Sequence, residues 1–171
     1  MAEKMQTIED LMLIGLTYVL DFENKVSDQA KKMAEASTNP ELKEMFEKSV
    51  TKGKEYASKI EATFGKLGKP VKTNTNEIAH AMINEVETMI SNSEAGPVRD
   101  AALIVAANQQ QLYRVASYGS METYVKLIGK QDAAQGLKEN LEDSKGGDAK
   151  LTKIAEETVN QEAAKASLQA A

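Results

Sequence analysis

Steps of four and three residues from Met12 pick out Met12, Leu16, Val19, Glu23, Val26, Ala30 and Met33. Six of these seven are apolar, and all lie on one face of an α-helix. A stripe this long commits the chain to long helices packed side by side. It also sets a carboxylate in the middle of an apolar seam. Such a group must be paired, protonated or bound to a cation.

The same period recurs along the chain. It predicts helices over residues 7–37, 41–67, 98–129 and 132–163, with a shorter amphipathic helix over 77–93. The second stripe runs through Leu42, Phe46, Ser49, Gly53, Ala57, Ile60 and Phe64. The third runs through Leu103, Ala107, Gln110, Arg114, Ser117, Met121 and Tyr124, and the fourth through Leu137, Leu141, Ser144, Asp148, Leu151 and Ala155. Each has a small or polar centre. Thr7 with Asp10 resembles a capping box, Asn39-Pro40 reads as an N-cap followed by a first-turn proline, and Gly65 to Pro70 closes the second helix. Paired glycines, Gly146-Gly147, predict a local kink in the last helix. Residues 163–171 have no stripe and are expected to fray.

Four striped helices define an all-α chain folded as a four-helix bundle, each helix about 40 Å long. The connection between the second and third is long enough to cross the bundle and carries the short extra helix. One such crossover is the ferritin-like topology. Leu42-Lys43-Glu44 and Leu137-Lys138-Glu139 open matching octads in the second and fourth helices, which suggests two related hairpins.

At 171 residues the chain is expected to form a single domain, 1–171. A net charge of −5 and lysines dispersed among acids argue against nucleic-acid binding. No apolar run approaches membrane-spanning length, and residues 1–10 lack a signal-peptide core. The absence of cysteine rules out disulfides and thiolate chemistry and fits a cytoplasmic location. No phosphate loop, nucleophile elbow or histidine placed for a triad is present. The one histidine, His80, lies off the apolar stripe of the short helix and reads as solvent-exposed. Tyr18, Tyr56, Tyr113 and Tyr118 read as core residues with polar tips. Gln109-Gln110-Gln111 reads as a polar layer that fixes bundle register.

Several segments resemble the bacterial YciE/YciF family of ferritin-like stress proteins. They are Thr7-Ile8-Glu9-Asp10-Leu11, Val98-Arg99-Asp100-Ala101-Ala102-Leu103, Tyr113 with Ala116-Ser117-Tyr118-Gly119, Leu137-Lys138-Glu139 with Leu141-Glu142, and Asp148 with Lys150-Leu151-Thr152. The resemblance implies a bundle whose carboxylate- and histidine-lined centre suits two metal ions, a link to stress responses, and a homodimer. Glu23 and Asp148 match acidic positions of that pattern and are the residual metal candidates. The remaining ligand segments depart from it. Ser49 to Lys54 replaces a histidine- and glutamate-rich run, Gln111-Leu112-Tyr113-Arg114 replaces Glu-His-Tyr-Glu, and Glu142-Asp143-Ser144 replaces three acids.

A di-metal bundle site takes a Glu from each of two helices and a Glu-x-x-His pair from each of the others. This chain has no Glu-x-x-His. Its replacements include two cations, Lys52 and Arg114. Either these join Glu23 and Asp148 in a buried ionic network that takes the place of the metal cluster, or they snorkel to solvent from the stripe edges. Glu142 and Asp143 read as part of a solvated face. The leading expectation is a non-enzymatic, stress-associated structural or interaction protein with no catalytic residues and no cofactor, its protein partner unidentified. The alternative is a di-iron or di-manganese protein with an altered carboxylate site at Glu23, Asp148 and Asp143, acting on peroxide or oxygen.

Overall fold

The computed structural model describes residues 5–169. Helices α1 (Ile8–Ala36) and α2 (Pro40–Lys66) form one hairpin, and α4 (Pro97–Leu127) and α5 (Gln131–Ile154) form the other. The crossover between them carries α3 (Glu77–Ser91). The helix caps follow from the sequence. Asp10 N–H donates to Thr7 Oγ1 at 3.0 Å while Thr7 N–H donates to Asp10 Oδ2 at 3.0 Å. Asn39 Oδ1 accepts from Glu41 N–H and Leu42 N–H, each at 3.0 Å. Gly68 and Gly129 adopt positive φ angles of 68° and 77°, the left-handed turn that ends α2 and α4.

α1 packs on α2 and α4, and α5 packs on α4 and α2. α1 and α5 are therefore diagonal, as are α2 and α4. Asp100, in the first turn of α4, accepts from Thr38 N–H at 2.9 Å and Asn39 N–H at 2.8 Å. Both α2 and α4 thus start at the same end of the bundle and run parallel. That arrangement requires the full-length crossover and makes this a ferritin-like four-helix bundle.

The apolar core has two main halves, with a smaller cluster of Phe22, Val26 and Ala79 beside them. Leu16, Ile60, Tyr118 and Leu137 belong to one half and Met33, Leu42, Phe46, Leu103 and Leu151 to the other. Between them lies a buried polar midsection that includes Glu23, Gln110, Arg114, Asn140 and Ser144.

The last helix differs from expectation in two ways. α5 runs unbroken through Gly146-Gly147, and the irregularity falls later, in a π-helical turn at Ala155–Val159. The helix then continues as α6 (Asn160–Gln169) past the end expected at Ala163. Ala, Gln and Lys sustain helix without an apolar stripe, and α6 still packs on α4. Gly147 serves close packing: a Cβ there would lie 2.8 Å from the Gln111 amide. Residues 170 and 171 of the expected frayed tail fall outside the described residues.

Candidate functional site

The helix period that makes the α1 stripe carries Glu23 inward, where it is completely buried. The α4 stripe brings Arg114 to meet it. Arg114 Nε donates to Glu23 Oε1 at 2.9 Å and Nη2 donates to Oε2 at 2.8 Å, a bidentate ion pair. Tyr118, one turn further along α4, donates its hydroxyl to Glu23 Oε1 at 2.7 Å. Both carboxylate oxygens are thereby engaged. The guanidinium carbon lies 5.3 Å from the Phe22 ring centre and 5.5 Å from that of Tyr56, close enough for cation–π attraction. Tyr56 in turn meets Tyr118 edge-on at 6.1 Å.

These contacts fix the protonation states. Burial works against the charge on Arg114, but the Glu23 carboxylate more than offsets it, so the guanidinium holds its proton more tightly than usual. Burial, reinforced by the Glu23 charge, pushes the Tyr118 phenol well above its ordinary value. Burial also raises Tyr56. The centre sets one anion, one cation and one phenol together.

The structure brings Glu23 and Arg114 together but places Lys52 and Asp148 elsewhere. Lys52 projects from the α2 edge, half exposed, and donates to Asp143 Oδ2 at 2.8 Å. This hydrogen bond raises the lysine pKa. Glu55 lies 3.5 Å from the same ammonium. Asp148 is half-buried and makes no side-chain hydrogen bond or ion pair among the described residues. The difference is one of helix rotation: Lys52 sits beside the inward Gly53, and Asp148 sits on the flank of a face set by Ser144 and Leu151. His80 is exposed, with Nε2 2.7 Å from Lys25 Nζ. Tyr18 is 40 % exposed rather than a core residue. Of the glutamine run, only Gln110 enters a buried layer, donating to Gln29 Oε1 at 2.8 Å, and Gln29 donates to the Ile83 carbonyl of α3.

Three residues gain roles that spacing did not single out. Tyr118 contacts Glu23 directly; its offset of one turn from Arg114 is the signal that could have found it. Asp100 anchors the α1–α2 turn. Asn76 anchors the crossover, with its N–H on Asp21, its Nδ2 on the Tyr18 carbonyl and Tyr113 Oη, and its Oδ1 capping α3.

The two hairpins share a register of 91 residues. Ala36 corresponds to Leu127 and Pro40 to Gln131, and the same 91-residue separation links Glu23 to Arg114 and Lys52 to Asp143. The octad repeat beginning at Leu42 and Leu137 is one helical turn out of this register. Glu23 and Arg114 are thus equivalent positions of the two hairpins, the places from which a di-metal bundle takes its paired glutamates. Here the second glutamate is a guanidinium. Beside it stand Ser49, Gln110 and Gln111 rather than carboxylates and imidazoles. Among the described residues no three His, Cys, Asp or Glu side chains cluster as a metal site. These residues do not fit a di-iron or di-manganese pair.

Fold and centre together define a ferritin-like bundle with an ion pair at its middle. The chain belongs to the DUF892 family, a domain of unknown function, which its sequence matches over residues 7–164. It is 32% identical to protein YciF of Escherichia coli strain K12 over 160 residues, covering 93% of this chain and 96% of that one. The crystal structure of the E. coli stress protein YciF aligns with a TM-score of 0.87 over 91% of this chain and 99% of that chain. YcfI of Rhodopseudomonas palustris, proposed to be a structural protein, aligns with a TM-score of 0.83 at 26% identity over 89% of this chain and 97% of that chain. No helix among the described residues is long and apolar enough to cross a membrane.

Proposed function

We propose that this protein is a non-enzymatic, stress-associated structural member of its family, working in the cytoplasm, in which an ion pair has taken the place of a di-metal centre. The observation that carries the reading is the Glu23 environment. A carboxylate whose two oxygens already accept from Arg114 and Tyr118 is a poor metal ligand, and the adjoining guanidinium repels a dication. Similarity to the stress protein YciF and to YcfI supports the stress and structural parts of the reading.

Metal analysis tests it. Protein purified from cells supplied with iron and manganese should carry substoichiometric amounts of both, unchanged in Glu23→Gln. Stoichiometric iron or manganese that is lost in Glu23→Gln overturns the reading in favour of a metalloprotein.

The proposal extends to a homodimer. Val98, Val105 and Leu112 recur every seventh residue on the outer face of α4 and are 51%, 52% and 56% exposed. Such a seam suits pairing with the same seam of a second copy.

A further inference from the structure

A cavity of about 170 Å³ opens between α2, α4 and α5, directly over the buried ion pair. The share of liquid volume taken by one water is about 30 Å³, so the cavity has room for a small polyatomic ion. Its floor is built from Arg114, Tyr56 and Gln111. Arg114 spends Nε and Nη2 on Glu23, and Nη1 has no hydrogen-bond partner among the described residues. Tyr56 is 6% exposed, yet its hydroxyl also has no partner among them. The Gln111 amide makes no hydrogen bond, and its Oε1 is fully buried. Of these atoms only Gln111 Oε1 is both fully buried and unpartnered, so the Arg114 and Tyr56 donors stay reachable from the cavity.

The rim carries three lysines, of which Lys48 is paired with Glu44 and Lys52 with Asp143 and Glu55. Lys48, Lys52 and Lys150 surround the opening, and Asp143 is the one carboxylate in the lining. Asp143 is already engaged by Lys52, and Lys150 has no ion-pair partner within 4 Å among the described residues. The free groups on the floor are chiefly donors: a guanidinium edge, a phenol and an amide. Donors from α2 and α4, with Lys150 of α5 at the rim, suit an ion with several acceptor oxygens, and they repel a metal cation.

We propose that this cavity binds a phosphate group, either free phosphate or a small phosphate monoester, with Arg114 Nη1, Tyr56 Oη and the Gln111 amide on its oxygens and Lys150 at the rim. A site of this kind goes beyond a purely structural role and gives the molecule a small-molecule ligand.

Calorimetric titration of the full chain at fixed ionic strength in chloride buffer tests it, with inorganic phosphate and glycerol 2-phosphate as the two ligands. The parent should bind at least one of them saturably at a single site. Gln111→Glu, which sets a carboxylate on the cavity floor, should weaken binding about tenfold or more, the equivalent of losing one charge-assisted hydrogen bond. Tighter binding of the ester supports the site and identifies a phosphorylated small molecule as its occupant; tighter binding of phosphate supports it and identifies the free ion. Circular dichroism checks folding. If Gln111→Glu does not fold, Lys150→Glu on the exposed rim decides the matter, since weakened binding supports the site and unchanged binding overturns it. Absence of saturable binding of either ligand by the parent, or binding that a folded Gln111→Glu leaves intact, also overturns it.

Discussion

Glu23 and Arg114 occupy equivalent positions in the two hairpins and close on each other at 2.8 Å across the bundle. One hairpin supplies the charge that the other lacks. The energetic consequence is asymmetric. Arg114→Leu leaves a buried carboxylate without its cation and should cost about 3–5 kcal/mol in urea unfolding. Glu23→Leu combined with Arg114→Leu removes both charges and should recover most of that loss, because apolar replacements of buried pairs are often neutral or stabilising. An Arg114→Leu protein as stable as the parent would mean the pair is not part of what holds the centre together.

Tyr118 adds a hydrogen bond to an ionised group, so Tyr118→Phe should destabilise by about 1.5–3 kcal/mol. Its raised pKa gives a pH dependence. The fold favours the protonated phenol. That stabilisation is complete below the unfolded-state pKa, about 10, and is lost as pH rises through the higher folded value. In an ultraviolet titration, the phenolate difference between parent and Tyr118→Phe should emerge only well into the alkaline range, together with loss of helix. Emergence near the ordinary tyrosine pKa, with the fold intact, would contradict the buried geometry.

Two glycine substitutions should move stability in opposite directions. At Gly53 a Cβ would come 2.7 Å from Ser27 Cβ and 3.3 Å from Ser27 Cα, where α1 and α2 cross. Gly53→Ala should cost about 1–3 kcal/mol by overpacking. At Gly146 nothing lies within 4 Å, and Gly146→Ala should add up to about 1 kcal/mol from helix propensity alone. Thermal melts of the two variants, run side by side, check both.

Asp100→Ala strips the buried acceptor from Thr38 N–H, Thr38 Oγ1 and Asn39 N–H in the α1–α2 turn. A loss of about 3 kcal/mol is expected, the scale of a hydrogen-bonded charge and the orphaned donors it leaves. Amide exchange should accelerate first at Thr38 and Asn39. Protection there that equals the parent's would show that the turn is held by something else.

Leu112→Glu places a charge in the middle of the α4 seam, where Leu112 is 56% exposed. Sedimentation should find the parent dimeric and this variant monomeric, with unchanged circular dichroism. A monomeric parent removes the dimer from the proposal.

The bundle was readable because its helices write their buried faces at steps of three and four, start at residues such as Pro40 and stop at glycines such as Gly68 and Gly129. Glu23 and Arg114 were readable as central positions of their stripes. Lys52 was not, because one residue of helix is about 100° of rotation, and the inward place there belongs to Gly53. Asp148 was misplaced by the same uncertainty in rotation. Gly146-Gly147 looked like a weak point because a sequence shows what glycine costs a helix and not what it lets approach; the Gln111 side chain is what needs the space. Asp100 and Asn76 were out of reach for another reason. Asp100 reaches Thr38 and Asn76 reaches Asp21, each more than fifty residues away, and no local pattern announces a contact made only when distant helices dock.

The Asp100 clasp also separates two folds that the helical stripes alone leave open. Four amphipathic helices of similar length satisfy an up-and-down bundle as readily as one with a crossover, since each buries the same faces. Only the crossover chain brings the start of α4 beside the turn between α1 and α2. An up-and-down chain would strand the Asp100 carboxylate at the far end, without the three donors it has here. A single buried side chain, contributing nothing to the apolar core, thereby tells the chain which way its second hairpin must point.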